Sequence, residues 1–328
     1  MRRARLRVLG AVAGALAGLS ALPVWAAPRV VVTIKPLHAL VAQVMAGIGS
    51  PELLVRGAAS PHNYALRPSE TRMLHDAQVF VRMSQTLEPF TIKLVRSLPD
   101  TVEVVTLLEV PRLTLLSRRT QATFEQHSHD GKPHSHRAHG TSGPDALDGH
   151  AWLDPDNAAV MVERIGEVLG ERDPANAAAY KANAEALKSR LAALASDLGR
   201  ELRPIAGRPY VVFHDAYQYL ERRYGLNAVG SISVSPDAPA SAKRLTELRA
   251  RIVALGAVCV FAEPQIDMRL VENLIEGTKA RAGTLDPEGT RLEPGPELYF
   301  TLMRRLASDL KGCLAPPAHT PAPVGVNG

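Results

Sequence analysis

The sequence predicts an α/β protein made of two βαβ-type lobes with parallel-rich sheets, joined by a long rigid connecting helix. Two observations carry this. Short apolar runs of strand composition alternate with helix-like stretches in both halves of the chain, the pattern of βαβ units and parallel sheets. Between the halves, Tyr180, Leu187, Leu191, Leu194, Leu198 and Leu202 recur at spacings of seven, four, three, four and four. That is one apolar stripe on a helix, which at about 1.5 Å per residue would run roughly 35 Å.

The chain opens with MRRARLRVLGAVAGALAGLSALPVWAAP: four arginines, an apolar run from about Val8 to Leu22, then small residues. This is the pattern of a signal peptide over residues 1–26, with cleavage expected after Ala26. The apolar run is shorter than the roughly 20 residues of a spanning helix, and no later stretch is long and apolar enough to cross a bilayer. No cysteine stands at the expected cut, so no lipid anchor is expected, and export implies a periplasmic location. The full chain carries +5, but the leader holds four arginines and no acid, so the mature chain carries +1. The pI near 9.3 belongs mostly to the targeting segment and gives no argument for a nucleic-acid partner.

The N-terminal lobe is expected over residues 27–155. VVVTI (Val30 to Ile34), ELLV (Glu52 to Val55) and QVFVRM (Gln78 to Met83) read as strands, with Lys35-Pro36 ending the first. Helices are expected near Pro68-Ser69 and after Glu88, where Pro89 suits a first turn. Residues 117–149 break the alternation, and a stretch of that length without apolar periodicity is either functional or disordered. A helical connector is expected over 156–206. The C-terminal lobe, 207–314, repeats the alternation with strands YVVF (Tyr210 to Phe213) and VCVFA (Val258 to Ala262), and with GTLD (Gly283 to Asp286) closing a further one. A helix carrying Leu245, Leu248, Ile252 and Leu255 lies between the first two. Residues 315–328 are Pro-rich and expected to be a disordered tail.

The chain has two cysteines, Cys259 and Cys313. In an exported protein they are expected to form a disulfide, two buried free thiols being the other reading. Their spacing matches no zinc-ligand pattern.

Five of the eleven histidines, His127, His129, His134, His136 and His139, fall within the sixteen residues EQHSHDGKPHSHRAHG. Three others stand at turns after or near expected strands: His62 in GAASPHNYALRPS, His150 in DGHAWLDP and His214 in FHDAY. Asp286 in GTLDPEG holds a similar place. In open α/β sheets the carboxyl ends of strands face a shared crevice, so these residues can converge. Three imidazoles and a carboxylate would make a four-coordinate shell suited to zinc. Each histidine alone is more ordinarily a hydrogen-bonded turn residue, and His38 and His75 are read that way.

SPHNYALRPS, HAWLDP, VVFHDAYQYLERRYGL, VFAEPQ and GTLDPEG, in this order and at these spacings, resemble the metal-binding solute-binding proteins of ABC importers (cluster A-I), in their zinc-uptake, ZnuA-type branch. The resemblance runs from about Val30 to Leu314. It implies two α/β lobes with one metal ion between them, held by His62, His150 and His214, and an ABC permease as partner. The protein would be a monomeric receptor, not an enzyme, with Zn(II) as transported ligand. The fourth position is open between Asp286 and a water: the family's manganese-binding and some zinc-binding members use the aspartate that Asp286 matches, other zinc members leave the place to water, and Pro61 stands where some zinc members carry an acid. Glu263 in AEPQ and Asp215 beside His214 are candidates to accept a ligand histidine's other N–H. The His-rich stretch resembles the charged loop of this branch and is read as a weaker accessory collector, because a flexible segment must lose freedom before it wraps an ion. Two other readings remain: the same fold selecting manganese, and an exported zinc hydrolase with Glu263 or Asp286 as base.

Overall fold

The computed structural model describes residues 27–119, 124, 146–233 and 242–316. The expected signal peptide over residues 1–26, the five loop histidines (His127, His129, His134, His136 and His139) and the last twelve residues of the expected tail lie outside them. Two four-stranded sheets, all parallel, make up the described β structure. The first contains β1 (Val30–Val32), β2 (Glu52–Leu53), β3 (Val79–Arg82) and β4 (Glu103–Thr106) in the order β2-β1-β3-β4. The second contains β5 (Pro209–Val212), β6 (Asn227–Ser231), β7 (Cys259–Ala262) and β8 (Arg281–Thr284) in the order β6-β5-β7-β8. Both halves therefore share one winding, with the order reversing beside β1 and beside β5. The predicted α/β class and paired lobes are present.

The helices are α1 (Lys35–Val44), α2 (Pro68–His75), α3 (Thr91–Val95), α4 (Pro155–Arg172), α5 (Ala177–Leu202), α6 (Gln218–Tyr224), α7 (Ala242–Ala254), α8 (Met268–Ile275) and α9 (Leu298–Leu314). Helix α5 is the long connector, and the residues of the predicted stripe are its buried face. The 156–206 range holds two helices: α4, capped by the Asp154 carboxylate on the Asp156 N–H (2.9 Å), reverses near Asp173 and packs along α5. The two lobes are not separate cores on a rod. Alternate residues of each sheet point opposite ways: Val30, Val32, Val79, Val81, Tyr210, Val212 and Phe261 enter one continuous core with α1, α4, α5 and α9. Val31 and Phe80 face α2 and α3, and Val211 and Val260 face α7 and α8, in two outer cores.

Lys35-Pro36 does end β1, but the proline also opens α1 at once, since its fixed φ suits a first helical turn. Strands β4 and β6 went unpredicted; both are sheet edges, β4 half exposed and β6 interrupted by Gly230, so neither shows a clean apolar run. Cys259 of β7 and Cys313 of α9 are disulfide-bonded, their Cα atoms 6.1 Å apart, which ties the second sheet to the helical layer.

Candidate metal centre

The winding decides which side chains meet. Strands β5 and β7 are neighbours at the point where the second sheet reverses direction, and a crevice opens at their carboxyl ends. His214 lies two residues past β5 and Glu263 one residue past β7. Glu263 Oε1 is hydrogen-bonded to His214 Nδ1, and its Oε2 accepts from Gln265 Nε2 at 2.6 Å. The first half brings His62 on the loop after β2 and His150 at the head of a short 3-10 turn, Ala151–Leu153. The turn approaches Leu87 so closely that a Cβ on Gly149 would sit 2.9 Å from the Leu87 Cβ.

The three imidazoles converge, with ligating nitrogens all within 4.8 Å of one another. Ring centroids stand 5.7 Å (His62 to His150), 5.9 Å (His62 to His214) and 5.3 Å (His150 to His214) apart. They line a cleft of about 80 Å³ with Leu87, Arg118 and Asp148. His150 Nδ1 lies 2.7 Å from Asp148 Oδ1, which also accepts the His150 backbone N–H at 3.0 Å. Asp148 is fixed in turn by Gln218 Nε2 on its Oδ2 (3.2 Å) and by Tyr219 Oη donating to its carbonyl (2.8 Å).

With both Nδ1 atoms donating to carboxylates, the Nε2 atoms of His150 and His214 carry lone pairs, and these face each other at 3.4 Å. Facing lone pairs repel unless a cation or a proton lies between them. Two nitrogens about 2.0–2.1 Å from a tetrahedral zinc stand roughly 3.3 Å apart, so the spacing fits that ion. His62 Nε2 is buried without a hydrogen-bond partner among the described residues, the state of a donor atom kept free for a ligand.

The electrostatics differ at each corner. Burial, then the neighbouring His150 and His214, hold the His62 imidazole well below its ordinary pKa. Burial also works against a charged His214, but the Glu263 carboxylate outweighs it and raises that imidazole. Half-buried Glu288, pushed up to about 8 by desolvation and then by Glu263, faces the same crevice from the turn after β8.

Two expected residues stand elsewhere. Asp215 does not accept from a ligand histidine: one oxygen takes Arg119 Nη1 at 3.0 Å, and the other is buried without a partner among the described residues. The residue after a strand-end histidine points away from it, here toward the guanidinium that also bonds Glu221 (2.5 Å). Asp286 is outside the histidine group; its carboxylate accepts from Glu288 N (3.2 Å), Thr290 Oγ1 (3.0 Å) and Arg291 N (3.4 Å). Asp148 was missed, although a carboxylate two residues before a candidate ligand is the visible signal in DGHAW.

The chain is similar to known proteins along most of its length. The high-affinity zinc uptake system protein ZnuA of Brucella suis is 42% identical over 305 residues, covering 87% of this chain and 91% of its own. The protein of that name from Paracoccus denitrificans is 38% identical over 325 residues, covering 94% and 99%. A crystal structure of ZnuA shares the fold with a TM-score of 0.72 at 23% identity, over 88% of this chain and 100% of its own. The family model for zinc-uptake complex component A, periplasmic, matches residues 30–313, and the chain belongs to that family.

Proposed function

We propose that the mature chain, cut near Ala26, is a monomeric periplasmic receptor without a lipid anchor. It captures Zn(II) as cargo between its lobes and delivers the ion to an ABC permease membrane subunit. His62, His150 and His214 would bind the ion through imidazole nitrogens, with a water in the fourth position, while Glu263 and Asp148 fix the His214 and His150 rings and their tautomers. The observation that carries this reading is the 3.4 Å approach of two Nε2 atoms whose Nδ1 partners are buried carboxylates. His127, His129, His134, His136 and His139 would add weaker sites that collect zinc. Titration of the metal-free protein with zinc against a competing chelator tests it: one tight ion plus weaker ones is expected, and the absence of a tight ion would refute it.

Three nitrogen donors favour zinc over manganese, which prefers more oxygen ligands. A hydrolase would need a free general base beside the metal-bound water. Both Glu263 oxygens are engaged, and Asp286 is held in its own turn, which supports a binding role over a catalytic one.

Two further results are expected. Protons compete with the ion for imidazole lone pairs. His214 is raised above its ordinary value of about 6.5, so zinc affinity should begin to fall as pH drops through that raised value. Constant affinity from pH 7.5 to 5 would count against imidazole ligation. Glu263→Gln, which puts an amide where the His214 Nδ1–H finds a carboxylate, should weaken zinc binding about 10- to 100-fold without changing the number of tight ions. Competition titration of the variant checks it.

A further inference from the structure

Lys35 opens α1 directly beyond β1, and only 6% of it is exposed. Burying an ammonium is expensive unless its three protons all find acceptors. Here they find backbone carbonyls: Gly289 at 3.2 Å, Thr290 at 2.8 Å and Leu292 at 3.0 Å. All three belong to one turn in the opposite half of the molecule, the turn that follows β8 and begins with Asp286. Gly289 has φ +69°, a left-handed conformation that side chains disfavour, and a Cβ there would meet Leu292 Cδ1 at 3.2 Å. The backbone is thus bent so that its carbonyls converge on a lysine from the other lobe.

The turn is held at further points. Trp152 Nε1 donates to Pro287 O at 3.0 Å, and Gln43 Nε2 of α1 donates to Pro296 O at 2.7 Å. On its inner side, the Asp286 carboxylate gathers the Glu288 and Arg291 N–H groups and the Thr290 hydroxyl. Carbonyls face the ammonium and donors face the carboxylate, so each charge helps keep the other's set of partners in place.

Resting on the metal-receptor reading above, we infer that Lys35 is a specificity-determining residue. It latches the 286–292 turn so that Asp286 stays within it and the three imidazoles keep an open fourth position. Zinc accepts either a water or a carboxylate beside three imidazoles, whereas manganese gains more from an added oxygen donor, so admitting Asp286 would narrow the preference for zinc. Without the ammonium the three carbonyls lose their common partner, the turn gains freedom, and Asp286 can swing toward the imidazoles.

The test compares the full mature chain with Lys35→Met, Asp286→Asn and the double variant. Affinities for Zn(II) and Mn(II) are measured by chelator competition, folding is checked by circular dichroism, and the visible spectrum of the Co(II)-loaded protein reports coordination. Lys35→Met should shift the zinc-to-manganese affinity ratio toward manganese by about tenfold, alter the Co(II) spectrum, and lose both changes when Asp286→Asn is added. An unchanged ratio in folded Lys35→Met, or a shift that survives in the double variant, overturns the latch while leaving the histidine site standing. If Lys35→Met does not fold, Asp286→Asn alone decides. An unaltered zinc affinity and Co(II) spectrum supports the latch, and a tenfold or greater loss of zinc shows Asp286 already in the shell and overturns it. A wild-type chain without any tight ion overturns the receptor reading and the latch together.

Discussion

Replacing His214 by alanine is expected to lower zinc affinity by more than about 100-fold, that is, by more than about 2.7 kcal/mol. Losing a partner outside the coordination shell already costs 10- to 100-fold, and His214 would touch the ion itself. It also has the firmest support of the three: it follows a central strand, is 3% exposed, and its ring is bonded to Glu263 from the neighbouring strand. Alanine removes one nitrogen of the close Nε2 pair and leaves the buried Glu263 carboxylate, among the described residues, with Gln265 as its remaining side-chain hydrogen-bond donor. Folding stability should therefore drop as well, which thermal melts in the absence of metal would register. His38→Ala is the control. That ring bonds the Pro51 carbonyl at 3.1 Å and is not among the three converging imidazoles, and its loss should leave zinc affinity unchanged. Tight binding that survived His214→Ala would move the principal site out of the cleft and into the His-rich stretch.

Removing the disulfide, with Cys259→Ala and Cys313→Ala together, is expected to cost about 4 kcal/mol of stability on the chain-entropy model. The bond closes a sequence separation of 54 residues, and the cross-link removes that loop's freedom from the unfolded chain. For a chain of this size the melting temperature should fall by roughly 10 °C. Cys259 is fully buried in β7, beside Phe261, and Cys313 is near the end of α9, so the bond anchors the terminal turns of that helix to the sheet. Arg281 reinforces the same junction by donating to the Cys313 and Ala315 carbonyls. Because Glu263 directly follows β7, zinc affinity should fall modestly in the variant. Thermal melts of the oxidised, reduced and doubly substituted forms check the prediction, and equal melting temperatures would refute it.

Much of this molecule is legible in its residues because the signals are local. Short unbroken apolar runs mark the central strands, since a parallel strand covered on both faces buries every side chain. The stripe from Tyr180 to Leu202 marks α5, since only one face of that helix meets the core. His214, two residues past β5, marks the crevice, because the carboxyl ends of parallel strands open on one side. Strands β4 and β6 escaped because their mixed composition shows no periodicity that separates them from loop.

What the sequence by itself determined, then, was the α/β class, the long helix and the family, and it singled out three histidines that the fold brings together. Tertiary structure alone decided which carboxylate serves which ring. Sheet order sets Glu263 beside His214, and Asp148 faces His150, while Asp215, adjacent to His214 in sequence, turns to Arg119. It also decided that Lys35 reaches across more than 250 residues to hold the turn carrying Asp286, and that both sheets share one core. The reason is physical. Periodicity and residue chemistry act over a few residues, whereas a buried polar group is satisfied by whichever partner the winding of the sheets brings within hydrogen-bonding distance.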